Sequence, residues 1–187
     1  QESGFKLGEN AVVFGAGTIG LLTLQVLKLA GASKVYVIEL DKSKHALAKE
    51  LGAEEVFPPN RWSKINRLTG RIGPDHVFDC VGLPQILMTS MQLVRNGGKI
   101  TIIGMHVEEF NLKGYVQLML KNITLRGIFG YVHENFRTAV ELIEQERIKL
   151  MALITRKITI DKVSTILEEL SKPQHEDIKV IVDLIDQ

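Results

Sequence analysis

The segment Val12-Val13-Phe14-Gly15-Ala16-Gly17-Thr18-Ile19-Gly20 constrains this chain more than any other. It sets a Gly-x-Gly-x-x-Gly turn between an apolar β run, Asn10 to Phe14, and an amphipathic helical run, Thr18 to Ala30. Each glycine has its own reason. Gly15 permits a tight turn, Gly17 has no Cβ and lets a pyrophosphate approach the backbone, and Gly20 lets the helix pack close to the strand. The helix start adds free N–H groups and the positive end of its dipole. A glycine pattern alone is weak, but here it has a strand before it and a helix after it.

The following residues repeat this strand–helix alternation. Apolar runs at Lys34–Ile38, Glu55–Phe57, His76–Asp79, Lys99–Ile103 and Ile123–Ile128 predict further strands. Helical spacing covers Ser43–Leu51, Trp62–Leu68, Pro84–Leu93 and Tyr115–Leu120. Gly31 and Gly52 stand where the first two helices end. Near-continuous apolar strands imply burial on both faces, so the expected architecture is a doubly wound α/β fold with a six-stranded parallel sheet. After Gly130 the alternation breaks. Helices at Glu134–Gln145 and Asp161–Leu170 and strands at Leu153–Ile160 and Ile178–Leu184 suggest a separate layer.

Composition removes several classes of function. The 187 residues carry 23 Lys plus Arg against 22 Asp plus Glu, too even a balance for a nucleic-acid or anionic-membrane surface. No apolar run approaches the ~18–20 residues of a membrane span. The first residues are not a signal peptide, and a cytoplasmic setting is expected. The lone cysteine, Cys80, permits neither an internal disulfide nor a thiolate-rich zinc site. The chain starts with Gln1 and enters its first strand within about ten residues, which looks like a piece of something longer.

A second test of the turn is an acid about 20 residues on, at the end of the next strand. Glu39 stands 19 residues after Gly20. A carboxylate there accepts hydrogen bonds from the adenosine ribose hydroxyls and repels a 2′-phosphate, which favours NAD over NADP. Lys42 and Lys44 pull the other way, and Asp41 is the alternative helix cap. Asp79 is either a ligand group or a structural hydrogen-bonding group. Cys80 reads as a small buried hydrophobe, and His106 as a loop histidine beside the cleft. His76 begins a strand, Trp62 packs, and His175 falls in a solvated turn.

At these residues the chain resembles the nucleotide-binding half of the zinc-dependent medium-chain dehydrogenases, the family of alcohol, sorbitol and threonine dehydrogenases. The similar stretches are Phe5 to Gly20, Ala48 to Ala53, Gly73 to Gly82, Arg95 to Gly104, Leu125 to Gly130, Leu153 to Val163 and Ile178 to Val182. The resemblance implies a Rossmann domain over residues 1–131. It implies that residues 132–187 are the C-terminal segment of a second, GroES-like catalytic domain. It also implies roles. Gly15, Gly17, Thr18, Ile19 and Gly20 form the pyrophosphate turn. Glu39 holds the adenosine ribose, with Lys44 flanking it. Cys80, Val81 and Gly82 line the cleft, and Gly104 and Met105 lie under the nicotinamide ribose. Ile128 and Phe129 meet the carboxamide through their backbones, and Lys179 stands near the cofactor's phosphates or ribose. Up to Phe129, each position falls at or just after the C-terminal end of a predicted strand, where open α/β sheets bind ligands.

In that family the zinc ligands precede the nucleotide fold, in sequence this chain does not include. The expectation is therefore a chain that binds NAD, carries no catalytic residue or metal ligand of its own, and turns over little by itself. Zinc belongs to the intact protein only, where it polarises the oxygen of an alcohol or ketone. The run 122–129, apolar and free of proline, predicts a sheet edge. The resemblance implies that it pairs with a second copy in a homodimer or tetramer, the alternative being an edge covered by the tail helix. Two rival functions stay open: a non-catalytic NAD-sensing module, and a zinc-independent quinone or enoyl reductase relative.

Overall fold

A computed structural model describes residues 2–172 and 176–184. Along the chain run β1 (Ala11–Phe14), α1 (Thr18–Leu29), β2 (Val35–Ile38), α2 (His45–Glu50), β3 (Glu55–Phe57), α3 (Lys64–Leu68), β4 (His76–Asp79), α4 (Pro84–Leu93), β5 (Lys99–Ile102), α5 (Val116–Leu120) and β6 (Thr124–Gly127). These strands form one parallel sheet in the order β3-β2-β1-β4-β5-β6. The order reverses between β1 and β4, the switch point at whose C-terminal strand ends open α/β sheets bind ligands. Then come α6 (His133–Glu144), β7 (Ile154–Thr159), α7 (Val163–Leu170) and β8 (Lys179–Asp183), with β7 and β8 paired in a separate parallel two-stranded sheet.

The alternation of side chains along a strand explains the layering. In β1, Val13 joins one apolar cluster with Leu21, Leu24, Val37 and Phe78. Its neighbours Val12 and Phe14 join another on the opposite face, with Tyr36, Val77 and Ile100. Both faces are thus covered, and β1, β2 and β4 are buried at every position. Trp62 packs against the second cluster as a partly buried ring. Helix α1 ends at Ala30 and turns at Gly31, whose φ of +83° favours glycine.

Several predicted helices are shorter than their spacing suggests, among them the one expected at Asp161–Leu170, which starts at Val163 after a 3-10 turn. The run 43–51 splits into a 3-10 turn at Lys42–Lys44 and α2, because Asp41 caps the turn by accepting from Ser43 N (2.9 Å). The run 62–68 starts only at Lys64, after a 3-10 turn at Pro59–Arg61. The edge strand β6 is exposed at all four residues.

Candidate cofactor site

The glycine turn is built by steric need at two positions and by open space at a third. Gly15 N donates to Ile38 O (2.8 Å), tying the end of β1 to the end of β2. A Cβ on Gly20 would lie 2.0 Å from the Gly15 carbonyl oxygen, so only glycine lets α1 approach so closely. A Cβ on Gly15 would lie 2.8 Å from Val81 Cγ2, which joins this turn to the one after β4. A Cβ on Gly17 meets nothing within 4 Å. Gly17 is the N-cap of α1, no side chain caps that helix, and the first intrahelical bond is Leu21 N to Gly17 O (2.9 Å). The N–H groups of Thr18, Ile19 and Gly20 therefore have no intrahelical acceptor. Open space over Gly17 beside three such donors fits a pyrophosphate.

Glu39 stands beside the turn at the end of β2. Its Oε2 accepts from Ala16 N (2.5 Å) and its Oε1 from Asp41 N (2.7 Å). One carboxylate thus holds the glycine turn to the end of β2. His45 Nε2 lies 2.9 Å from the Glu39 carbonyl, and Lys44 pairs with Asp41 at 3.6 Å. Beyond them lies a depression of about 420 Å³ lined by Lys42, His45, Pro58, Asn60 and Arg61. The pattern of the sequence does not reveal it, because its walls come from the loops after two different strands.

The ends of β4, β5 and β6 frame a cavity of about 370 Å³. Gly82, Gly104, Met105, Ile128 and Phe129 line it, as do Asp79 and His106. A Cβ on Gly104 would lie 2.3 Å from Gly82 N, so the two loops touch through their backbones. Asp79 pins them together. Its Oδ1 accepts from Val81 N (2.9 Å) and Gly82 N (2.8 Å), and its carbonyl accepts from Ile103 N (2.8 Å) and Gly104 N (2.9 Å). Burial pushes the Asp79 carboxyl above its ordinary range. The structural alternative for the Asp79 side chain therefore has two bonds behind it, both at Oδ1, while the buried Oδ2 has no hydrogen-bond partner among the described residues. His106 stands edge-on to Phe110, with ring centres 5.7 Å apart. Leu83, Pro84 and Phe110 also line the cavity. Their sequence signal was at most position, since all three follow strand ends.

Cys80 and Val81 lie between the two regions without lining the cavity. The Cys80 sulfur is 3.7 Å from Thr23 Oγ1, and burial pushes its thiol up to about 12, so it behaves as a small apolar side chain. Lys179 is the first residue of β8 and is exposed. The preceding residue reaches the glycine turn, because Thr18 Oγ1 donates to Ile178 O at 2.7 Å. Nothing in the sequence signals that contact across 160 residues. Among the described residues, no three His, Cys, Asp or Glu side chains group as metal ligands, and no helix is long and apolar enough to cross a membrane. His175 lies outside the described residues.

The class defined by this sheet and turn is that of dinucleotide-binding α/β proteins. The sequence model of the family described as zinc-binding dehydrogenase matches residues 18–145, and the chain belongs to that family. It is 29% identical over 185 residues to the D-xylulose reductase of Saccharomyces cerevisiae, covering 95% of this chain and 52% of the yeast protein. Among solved structures, the 2R,3R-butanediol dehydrogenase of Bacillus subtilis superposes with a TM-score of 0.86 at 29% identity, over 98% of this chain and 53% of that one. A protein from Sinorhizobium meliloti described as a zinc-binding dehydrogenase, solved with NADP bound, gives a TM-score of 0.83 at 28% identity, over 97% and 54% of the two chains. The chain spans about half the length of the curated relatives it matches.

Proposed function

We propose that this chain is the NAD-binding portion of a zinc-dependent dehydrogenase that moves a hydride between a secondary alcohol, polyol or amino alcohol and NAD. In this reading residues 1–131 are the dinucleotide-binding domain and residues 132–187 the C-terminal segment of a catalytic domain. Gly15, Gly17, Thr18, Ile19 and Gly20 receive the pyrophosphate. Glu39 and Lys44 receive the adenosine ribose. Val81 and Gly82, with Cys80 behind them, form the middle of the cleft. Gly104, Met105, Ile128 and Phe129 receive the nicotinamide half, and Lys179 neutralises phosphate charge. The observation that carries the reading is the contrast inside the turn, closed to a side chain at Gly20 and open at Gly17.

The described residues do not fit a zinc ion, so no step of the chemistry is assigned to a metal on this chain. What the chain contributes is binding and orientation of the cofactor, which supplies the hydride acceptor. The exposed strand β6, within 122–129, is the proposed contact of a homodimer or tetramer, and a cytoplasmic setting suits the intact protein. Titration with NADH, followed by its fluorescence, tests the reading. Saturable binding at micromolar to low millimolar NADH is expected, and a folded chain without binding at millimolar NADH overturns it. The depression lined by Lys42, His45 and Arg61 favours a second reading, in which the adenosine end takes NADP. Tighter binding of NADPH than of NADH would establish that second reading and displace NAD.

A further inference from the structure

The far end of α1 meets the tail at a polar group with an unused donor. Gln25 is 5% exposed. Its Oε1 accepts from Lys149 N (2.7 Å), and its buried Nε2 has no hydrogen-bond partner among the described residues. Because Lys149 N–H is a donor, the amide cannot be turned over to hide the gap. Gln25 lines a depression of about 220 Å³ together with Lys28, Arg147 and Lys149, with Leu29 and Leu51 as its apolar part. Glu50 is its one acid, and it pairs with Lys149 at 3.8 Å. Lys28 and Arg147 have no carboxylate partner among the described residues. Their places are set by the backbone. The Lys28 stem lies across Gly52, where a Cβ would be 3.2 Å from Lys28 Cγ. Arg147 follows Glu146, which turns the chain at φ +53° as α6 ends, and precedes the buried Ile148. Lys28 does not serve the end of its own helix, because Ala30, Ala32 and Gly31 N–H groups take up the carbonyls of Val26, Leu27 and Lys28.

We propose that this depression is an anion site, separate from the cofactor cleft, that takes a phosphate group between Lys28 and Arg147, with Gln25 Nε2 as a third donor. Two unpaired cations call for a dianion. A phosphate monoester carries about −1.5 to −2 at pH 7 and accepts from several directions, whereas a carboxylate would leave one cation unmatched. Lys28 lies ten residues along α1 from Thr18, about 15 Å at the rise of a helix. The site is therefore independent of the NAD-binding reading. Lys28 belongs to α1 and Arg147 to the tail, so an anion held by both ties the tail to the helix that starts at the glycine turn.

A phosphate titration of the 187-residue chain at constant ionic strength, followed residue by residue by NMR, tests this. Inorganic phosphate is expected to shift the Gln25 side-chain amide and the Lys149 backbone amide along one saturating curve, with a Kd on the order of 1 mM. Glycerol phosphate is titrated beside it. Tighter binding of the ester identifies an organic phosphate as the ligand, tighter binding of the free ion identifies inorganic phosphate, and either supports the proposal. Lys28→Gln and Arg147→Gln are each expected to weaken binding about tenfold. Gln25→Glu keeps an acceptor for Lys149 N–H and replaces the free donor with a carboxylate, so it is expected to weaken binding at least as much. Signals of Gly17–Gly20 report phosphate at the cofactor turn on a separate curve. Shifts at Gln25 that rise without saturating, or wild-type affinity in Arg147→Gln, overturn the proposal. If Gln25→Glu does not fold, the two exposed cations decide. NADH binding is expected to be unchanged in Lys28→Gln and Arg147→Gln, so this site and the NAD-binding reading stand or fall separately.

Discussion

In the large sheet, β1, β2 and β4 are buried at every position, whereas β7 buries only Ile158 of its six residues and α6 buries none. The two regions differ in sequence as well as in partners: β1 is Ala-Val-Val-Phe, apolar throughout, whereas β7 is Ile-Thr-Arg-Lys-Ile-Thr and α6 has one apolar stripe on a polar helix. Helices cover both faces of β1, β2 and β4, and two clusters close around them. Beyond β6 the chain leaves large apolar side chains in solvent: Phe129 at 92% exposed, Tyr131 at 76% and Phe136 at 53%. Amphipathic spacing reports that a face is apolar and says nothing about what covers it. The core is closed around β1, β2 and β4, while the edge strand β6 of the same sheet stays exposed. The tail is anchored to that core at a few points, with Leu153 buried in the first cluster and Ile178 packed on it.

The largest expected effect sets these regions directly against each other. Leu24 is fully buried on α1, and Ile143 is 42% exposed on α6. Leu24→Ala is expected to cost about 2–5 kcal/mol through lost burial and the cavity left behind. Ile143→Ala is expected to stay within about 0.5 kcal/mol. Urea unfolding of the two variants measures both. Equal losses would mean that α6 has a packed partner in solution and would break the contrast.

A second pair of substitutions sharpens the comparison inside the turn. Gly20→Ala sets a Cβ against the Gly15 carbonyl, which Gly15 cannot easily withdraw because its N–H is bonded to Ile38. The expected cost is about 1–3 kcal/mol of stability. Gly17→Ala meets open space and lies at φ −77°, so stability is expected to change little. NADH affinity should fall by about tenfold or more as the Cβ enters the phosphate space. Melting temperature and NADH titration on both variants separate the roles. Loss of stability with Gly17→Ala would show that its surroundings are closed.

The same contrast explains what was legible from residues alone. Strand β4 and helix α4 have the expected bounds, because β4 is a short apolar run and Pro84 marks the first turn of α4. Glycine spacing and the place of Glu39 were readable because both are local patterns. The carboxylate of Glu39 on Ala16, the four bonds of Asp79 and the Thr18 link to Ile178 were not. They join residues brought together by sheet order, and a linear pattern carries no record of that order. The helix at Trp62–Leu68 was overextended because Trp62 fits the apolar spacing, while Pro58 and Pro59 set up a 3-10 turn first.

The smallest effect is a pH dependence confined to the sheet region. His76 on β4 is fully buried, stacked on Phe78 with ring centres 4.2 Å apart, and its Nε2 lies 2.8 Å from Thr101 Oγ1. Burial, helped by the Lys99 charge, lowers its pKa to about 3 from the usual 6.5. The ring is therefore neutral at pH 7, and the Glu9 carboxylate 4.0 Å from Nδ1 makes no ion pair with it. The unfolded chain takes up a proton at about pH 6.5, and the folded chain does so only near pH 3. Below pH 6.5 the unfolded state binds more protons, so the His76 contribution is complete above that pH and is lost as pH falls towards 3. Asp79, whose carboxyl is raised, works in the opposite direction, so a wild-type profile mixes the two. Comparing His76→Gln with wild type at each pH isolates the histidine. The wild type should lose at most about 2 kcal/mol more than the variant between pH 7.5 and pH 5. Fluorescence of Trp62, which packs in the second sheet cluster, reads this transition from within the same region. Parallel profiles for the two proteins would mean that His76 is already accessible to protons in the folded chain, and that the sheet is less closed at β4 than at β1.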